Sequence, residues 1–188
     1  MTQTATPQEL KKQEILDQAQ RLFYDGGFHA TGVDSVLADT GISKRTLYKY
    51  FPSKEVLIEA VLDRYADNVD CMLFAPAFAK TDDPRARIDA VFDARRDLMT
   101  CTGQGCLAMK AAQEYAGKHE GIEAAGRRSV VYIEEKMINL CRAAGIAGAD
   151  DKGRMVALLL QGAILTSQLR HDTEAFDDAK RAVSALID

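Results

Sequence analysis

Positive charge is not in excess in this sequence: 24 lysines and arginines face 28 aspartates and glutamates, a net charge of −4 over 188 residues. Such a chain is not a general polyanion binder, so any contact with nucleic acid must come from a local patch. Long apolar runs are missing too. The longest candidate, Met155–Leu160, falls far short of the roughly 18 residues that cross a membrane, so no membrane partner is expected. The stretch from Met1 to Leu16 has no apolar core of the kind a secretory leader carries. The four cysteines, Cys71, Cys101, Cys106 and Cys141, form no CxxC pair and stand at no zinc spacing to a histidine, so no metal is expected. Reduced thiols in a cytoplasmic chain are the simpler reading. There is no HExxH, no GxSxG and no phosphate-cradling glycine loop. Glu134-Glu135 and Asp150-Asp151 are adjacent in sequence, so neither pair converges on one site from a helix. An enzyme is not expected, nor a cofactor.

What is present is helical periodicity. Strand alternation appears nowhere for long, and only four prolines interrupt the chain. An all-α fold follows. The first helix is predicted over about Gln8–Tyr24, ended by Gly26-Gly27. Thr31-Gly32-Val33-Asp34 fits a capping box that opens the second, with Val33, Val36, Leu37 and the small Ala38 on its buried side. Gly41-Ile42-Ser43 reads as a turn, and Ser43 as the N-cap of a third helix with Leu47 and Phe51 inward. Ser53 is expected to cap a long fourth helix reaching about Leu73, which Pro76 keeps from going much further. Beyond it the pattern predicts helices from Pro84, from about Cys106 to Tyr115, around Ile122–Leu140, over Asp151–Arg170, and a last one capped by Thr173.

Residues 31–57, TGVDSVLADTGISKRTLYKYFPSKEVL, carry the functional signal. Two short helices joined by a tight turn are a helix-turn-helix, which lays its second helix in the major groove of DNA. From Ser43 to Lys54 there are four basic residues, Lys44, Arg45, Lys49 and Lys54, and no acidic one. The exposed face offers Lys44, Arg45, Thr46, Tyr48 and Lys49 as donors to bases and phosphates. Lys54 opens the next helix, where its ammonium and the free backbone N–H groups can hold one phosphate.

Residues 15–57 resemble the N-terminal domain of TetR-family transcriptional regulators. The match rests on Phe23, Gly27, Phe28, Thr31, Val33, Gly41, Ile42, Ser43, Leu47, Tyr48, Phe51, Ser53, Lys54 and Glu55, with SKRTLYKYFPSKEVL the most specific stretch. The resemblance implies base or nearby backbone contacts for Lys44, Arg45, Thr46 and Tyr48, and phosphate contacts for Thr31, Tyr50 and Lys54. Arg45 stands where the family often has a small residue or proline. The resemblance further implies a helix-turn-helix domain at 1–55 and a helical effector-binding and dimerisation domain at 56–188. It implies a homodimer through the last two helices, bound to a double-stranded operator of palindromic half-sites, and an unidentified small-molecule effector that releases a repressor.

The sequence supports the dimer independently. Helix 151–170 is apolar on more than one face, with Leu158, Leu159 and Leu160 consecutive, and Gly162 and Ala163 permit close helix approach. For an effector pocket, Phe92, Met99, Cys106, Met109, Tyr115, Tyr132 and Met137 are candidates, though the same residue types serve equally as plain core. Cys101 and Cys106 flank the Gly103–Gly105 break. An accessible thiol there would make a redox- or electrophile-responsive repressor, an alternative supported by the likeness of GCLAMKAAQEYA to a stretch in responsive members of the family. A ligand-independent helical DNA-binding protein is the remaining alternative. His29 is expected to pack or to touch a phosphate.

Overall fold

A computed structural model describes residues 6–188; residues 1–5, part of the stretch read above as lacking a leader core, lie outside it. Ten α-helices are found among the described residues, with no strand: α1 Pro7–Gly26, α2 Val33–Leu37, α3 Lys44–Tyr50, α4 Lys54–Asp67, α5 Ala75–Lys80, α6 Pro84–Thr102, α7 Leu107–Tyr115, α8 Glu120–Ala143, α9 Ala149–Arg170 and α10 Glu174–Ile187. A π-helical turn, Asp70–Phe74, lies between α4 and α5. The chain is all-α, as its periodicity predicts. It divides into two compact units. One holds the described residues up to Tyr65 together with Leu107–Arg127; the other holds Ala66–Cys106 and Arg128–Asp188.

In the first unit α1 begins at a full capping box. Thr6 Oγ1 accepts from the Glu9 amide, and the Glu9 carboxylate accepts from the Thr6 amide at 2.7 Å. Gly27, at φ 83°, closes the helix by donating to the Phe23 carbonyl. Phe28 then folds back and stacks on Phe23 with ring centroids 4.8 Å apart. Ile15, Ala19, Phe23, Phe28, Val36, Leu47, Phe51, Leu57, Ile58, Val61 and Leu62 are fully or almost fully buried and form the core that sets α3 on the surface. Gly126 of α8 lies against α7, since a Cβ there would come within 2.7 Å of the Ala108 carbonyl oxygen.

The start of α2 differs from the capping box expected at Thr31. The helix begins at Val33 behind Gly32, with no side-chain cap. The Thr31 hydroxyl is buried and donates toward the carbonyls of Gly27 (2.7 Å) and Leu22 (3.1 Å). It closes the end of α1 rather than opening α2. Ala38 is exposed and lies beyond the last residue of α2. The turn that follows is held locally: Thr40 Oγ1 bridges the Leu37 carbonyl and the Ile42 amide, and Gly41 takes φ 64°.

The second unit is built around Leu73, Phe74, Ile88, Val91, Phe92, Met137, Cys141, Val156, Leu160, Phe176 and Val183, all buried. Pro76 does not stop the chain's helical course. It sits in the first turn of α5, where a missing N–H costs nothing, and the π turn before it supplies the change of register. Gly103, at φ 65°, caps α6 by donating to the Met99 carbonyl. Thr173 precedes α10, but its hydroxyl does not cap; Asp172 Oδ1 accepts from the Glu174 amide at 3.0 Å instead.

Helices α8 and α9 approach closely at Gly153, where a Cβ would lie 2.5 Å from Ile138 Cα. Backbone cannot yield as a side-chain tip can. Gly153→Ala should therefore destabilise the protein by about 1–3 kcal/mol, although alanine is the better helix former by about 1 kcal/mol. Chemical denaturation of both proteins measures the difference, and an unchanged or raised midpoint would contradict the packing.

Candidate nucleic-acid interface

Helix α3 is short and locally determined. Ser43 Oγ caps it by accepting from the Thr46 amide at 3.2 Å, Leu47 and Phe51 anchor its inner side, and the chain leaves it at Phe51 in extended conformation. Its outer side carries Lys44, Arg45, Tyr48 and Lys49, all exposed; Tyr48 is a large aromatic with 44 % of its surface in solvent. Arg45 and Lys49 make no hydrogen bond or ion pair among the described residues. Thr46 is half-buried, its hydroxyl 3.0 Å from Ser43 Oγ. Tyr50 is half-buried and tilted against Phe51.

Two of the expected cations are engaged. Lys44 Nζ pairs with Asp34 Oδ1 of α2 at 2.6 Å, and this partner raises the lysine's pKa. Asp34, read from the sequence as a cap, thus places an exposed carboxylate beside a segment that is acid-free only in sequence. The spacing between the two residues carries no recognisable signature in the sequence. Lys54 Nζ donates to the His29 carbonyl at 3.1 Å. At the start of α4, Ser53 Oγ accepts from the Val56 amide, and Glu55 is held low in pKa by bonds to its own amide and to Ser53. The phosphate seat expected at this helix end is therefore partly filled by a carboxylate. Thr31, expected on a phosphate, is buried with its hydroxyl on two carbonyls, and so is not available to one.

Helix α7 belongs to this same unit. The Glu114 carboxylate accepts from the amides of Phe28 (3.1 Å) and His29 (3.0 Å), while Lys110 Nζ donates to the Tyr24 carbonyl at 2.8 Å. Tyr115 stacks on His29 with centroids 4.5 Å apart, and His29 Nε2 lies 3.2 Å from the Glu114 carbonyl oxygen. His29 thus packs, one of its two expected fates. Glu114→Ala would leave two amides without their acceptor. It is expected to destabilise the protein by about 1–3 kcal/mol, seen as a lower thermal midpoint; an unchanged midpoint would show that water replaces the carboxylate at no cost.

The residues suggested for an effector pocket fall in both units. Met109 and Tyr115 are on α7, in the first unit, and Tyr115 is occupied by His29. Phe92 and Met137 have no exposed surface and are core. Tyr132 donates its hydroxyl to Asp70, which Lys136 also pairs at 3.0 Å; the tyrosine hydroxyl is the main cause of the lowered Asp70 pKa. Cys106 is half-buried against the core. Met99 lines a cleft of about 510 Å³ together with residues of α9 and the start of α10. Composition cannot separate a methionine that lines a cleft from one that fills a core. Cys101 and Cys71 are exposed free thiols and Cys141 is buried, its thiol pKa pushed up by burial. Among the described residues, no group of three or more His, Cys, Asp or Glu side chains could hold a metal ion, and no helix is long and apolar enough to cross a membrane.

Comparison with known proteins places this geometry. The family described as bacterial regulatory proteins, tetR family, matches residues 15–61, the span of α1 to α4 that builds and carries α3. The transcriptional activator FasR of Mycolicibacterium smegmatis is 35 % identical over 99 residues, 53 % of this chain and 45 % of the relative. The transcriptional repressor ComR of Escherichia coli is 32 % identical over 103 residues, 54 % of this chain and 49 % of the relative. The chain thus spans about half the length of the curated relatives it matches. The solved regulatory protein TetR of Rhodobacter sphaeroides superposes on 95 % of this chain and 100 % of its own with a TM-score of 0.84 at 20 % identity, a likeness of fold. Residues 15–61 thus match the tetR family of bacterial regulatory proteins in sequence, and the chain shares the fold of a solved TetR regulator.

Proposed function

We propose that this protein is a homodimeric, cytoplasmic transcriptional repressor that binds a palindromic DNA operator through α3 and leaves it when a small molecule binds the C-terminal unit. The observation that carries the reading is the outer face of α3, where Arg45, Tyr48 and Lys49 are exposed together and the two cations have no internal partner among the described residues. These are groups that bond base edges and phosphates in the major groove. One relative is named an activator and another a repressor. Repression is the simpler assignment, because occupying an operator needs no further contact.

The dimer is supported by α9. Met155, Leu158, Leu165 and Leu169 are exposed at 49, 69, 39 and 73 %, and with Gly162 they follow a heptad-like spacing along one side of the helix. The opposite side is buried through Val156, Leu160 and Ile164. A Cβ at Gly162 would meet nothing within 4 Å inside the chain, so the close approach it permits is open to a second subunit. For the thiol-responsive alternative, the exposure of Cys101 is the one supporting feature.

The test is selection of duplexes from a random library by the full-length protein, followed by anisotropy titration. Enrichment of a two-fold-symmetric site bound by two chains supports the reading; no enriched sequence would overturn it. On the selected site Asp34→Asn should bind roughly tenfold more tightly, because it frees Lys44 and removes a repelling charge from each reading head. An unchanged affinity would mean that Lys44 does not face the DNA.

A further inference from the structure

We infer that the cleft at the C-terminal end of α6 is a binding site for a small organic acid, held with its carboxylate inward. The inference rests on the proposed effector-binding role of the C-terminal unit and names the ligand's chemistry. The cleft is lined by Met99, Thr100 and Gly103 from the end of α6 and by Ser167, Gln168 and His171 from the end of α9. Its volume, about 510 Å³, lies within the range of small-molecule sites.

One residue of its lining, and a second on α6 one turn from the lining residue Met99, each carry a buried polar atom without a partner. Ser167 is 1 % exposed, lines the cleft, and its Oγ has no hydrogen-bond partner. Arg95 lies one turn before Met99 on the same face of α6 and is 5 % exposed. Its Nη2 donates to the Gln104 carbonyl at 3.2 Å, whereas Nη1 is buried with no acceptor. No carboxylate pairs with this guanidinium among the described residues. The Gln104–Gly105 loop packs against the cleft wall, since a Cβ at Gly105 would meet Gln168 Oε1 at 2.1 Å.

A buried guanidinium without a counter-charge is costly, and it can only donate. A hydroxyl beside the same cleft can donate as well. Both orphans are answered at once by an oxyanion, and a planar carboxylate matches the guanidinium fork. The acidic side of the cleft sets the orientation. Half-buried Asp172 and exposed Glu174 line the cleft where α10 begins, so an anionic end on that side would meet two carboxylates. A doubly charged phosphate would face one guanidinium and the same acidic side, and fits less well.

The test uses the full chain in thermal-shift and calorimetric titrations with benzoate and hexanoate, each against its uncharged amide, benzamide or hexanamide, and with inorganic phosphate. The acids should raise the melting temperature with concentration and bind about tenfold or more tightly than their amides. Ser167→Ala should weaken acid binding about fivefold to tenfold while raising the melting temperature of the free protein, because it removes an unpartnered buried hydroxyl. That opposed pair of changes is not the signature of a packing residue. Arg95→Met should abolish acid binding, and if that variant does not fold, the serine variant and the acid–amide pairs decide alone. Equal binding of acid and amide, protection by phosphate alone, or unchanged acid affinity in Ser167→Ala would overturn the inference. Anisotropy on the selected DNA separates it from the function on which it rests. Acids that bind in a Ser167-dependent way without releasing DNA leave the site standing and remove the effector role. Release of DNA by the amides as well as the acids keeps the effector role and removes the acid site.

Discussion

Leu158→Asp should give a folded monomer that binds the selected operator at least about a hundredfold more weakly than the wild type. Leu158 is 69 % exposed in the isolated chain, so a polar residue there costs the subunit little. In a dimer it would be buried twice. Burying a leucine is worth about 1.5–3 kcal/mol, and an unpaired carboxylate in the same place costs several kcal/mol. The groove beside it is lined by Leu159, Gly162 and Thr166 of α9 and by Ala179 and Ala182 of α10, with Arg170 the basic residue of its lining. Once the subunits part, the two reading heads bind independently. The loss of effective concentration then costs about 10²–10⁴ in affinity. Sedimentation gives the oligomeric state and anisotropy the affinity. A dimer that persists, or a monomer that binds undiminished, would contradict the assignment of α9 as the joining face.

Arg45→Ala should reduce affinity for the same site roughly fiftyfold at about 0.1 M salt and flatten the salt slope by about 1.8, because each dimer loses two cations and each contributes about 0.9 to the slope. Lys44→Ala should cost less than Arg45→Ala. Lys44 must first release Asp34, so part of its charge is already neutralised, whereas Arg45 is unengaged. If the order is reversed, the face presented to DNA is centred nearer the start of α3 than its exposure indicates. If Arg45→Ala changes sequence preference and leaves the slope alone, the arginine reads a base rather than a phosphate.

Much of α3 was legible in the sequence because what makes it is local. Ser43, Gly41, Leu47 and Phe51 act within a few residues of one another, and each does in the structure what its chemistry predicts. Thr31 and Asp34 show where local reading fails. Their spacing imitates a capping box, yet buried carbonyls capture the threonine hydroxyl and a lysine on the next helix captures the carboxylate. The bonds from Glu114 to Phe28 and His29 join residues 86 and 85 positions apart, and no short-range pattern announces them. Pro76 misled for a related reason: a proline stops a helix only in the register it interrupts, and the π turn changes that register first. The cleft was out of reach because nothing local in the sequence marks Arg95 of α6 and Ser167 of α9, both polar, as buried.

The most direct test of the account is the salt dependence of wild-type binding to the selected duplex, measured by anisotropy. If two heads engage through Arg45 and Lys49 alone, the slope of log affinity against log salt should be about −4; if Lys44 and Lys54 also release their internal partners, it should approach −7. A slope shallower than about −2 would mean that no more than one cation per head meets a phosphate, and α3 of a paired dimer would not be what holds this protein to DNA.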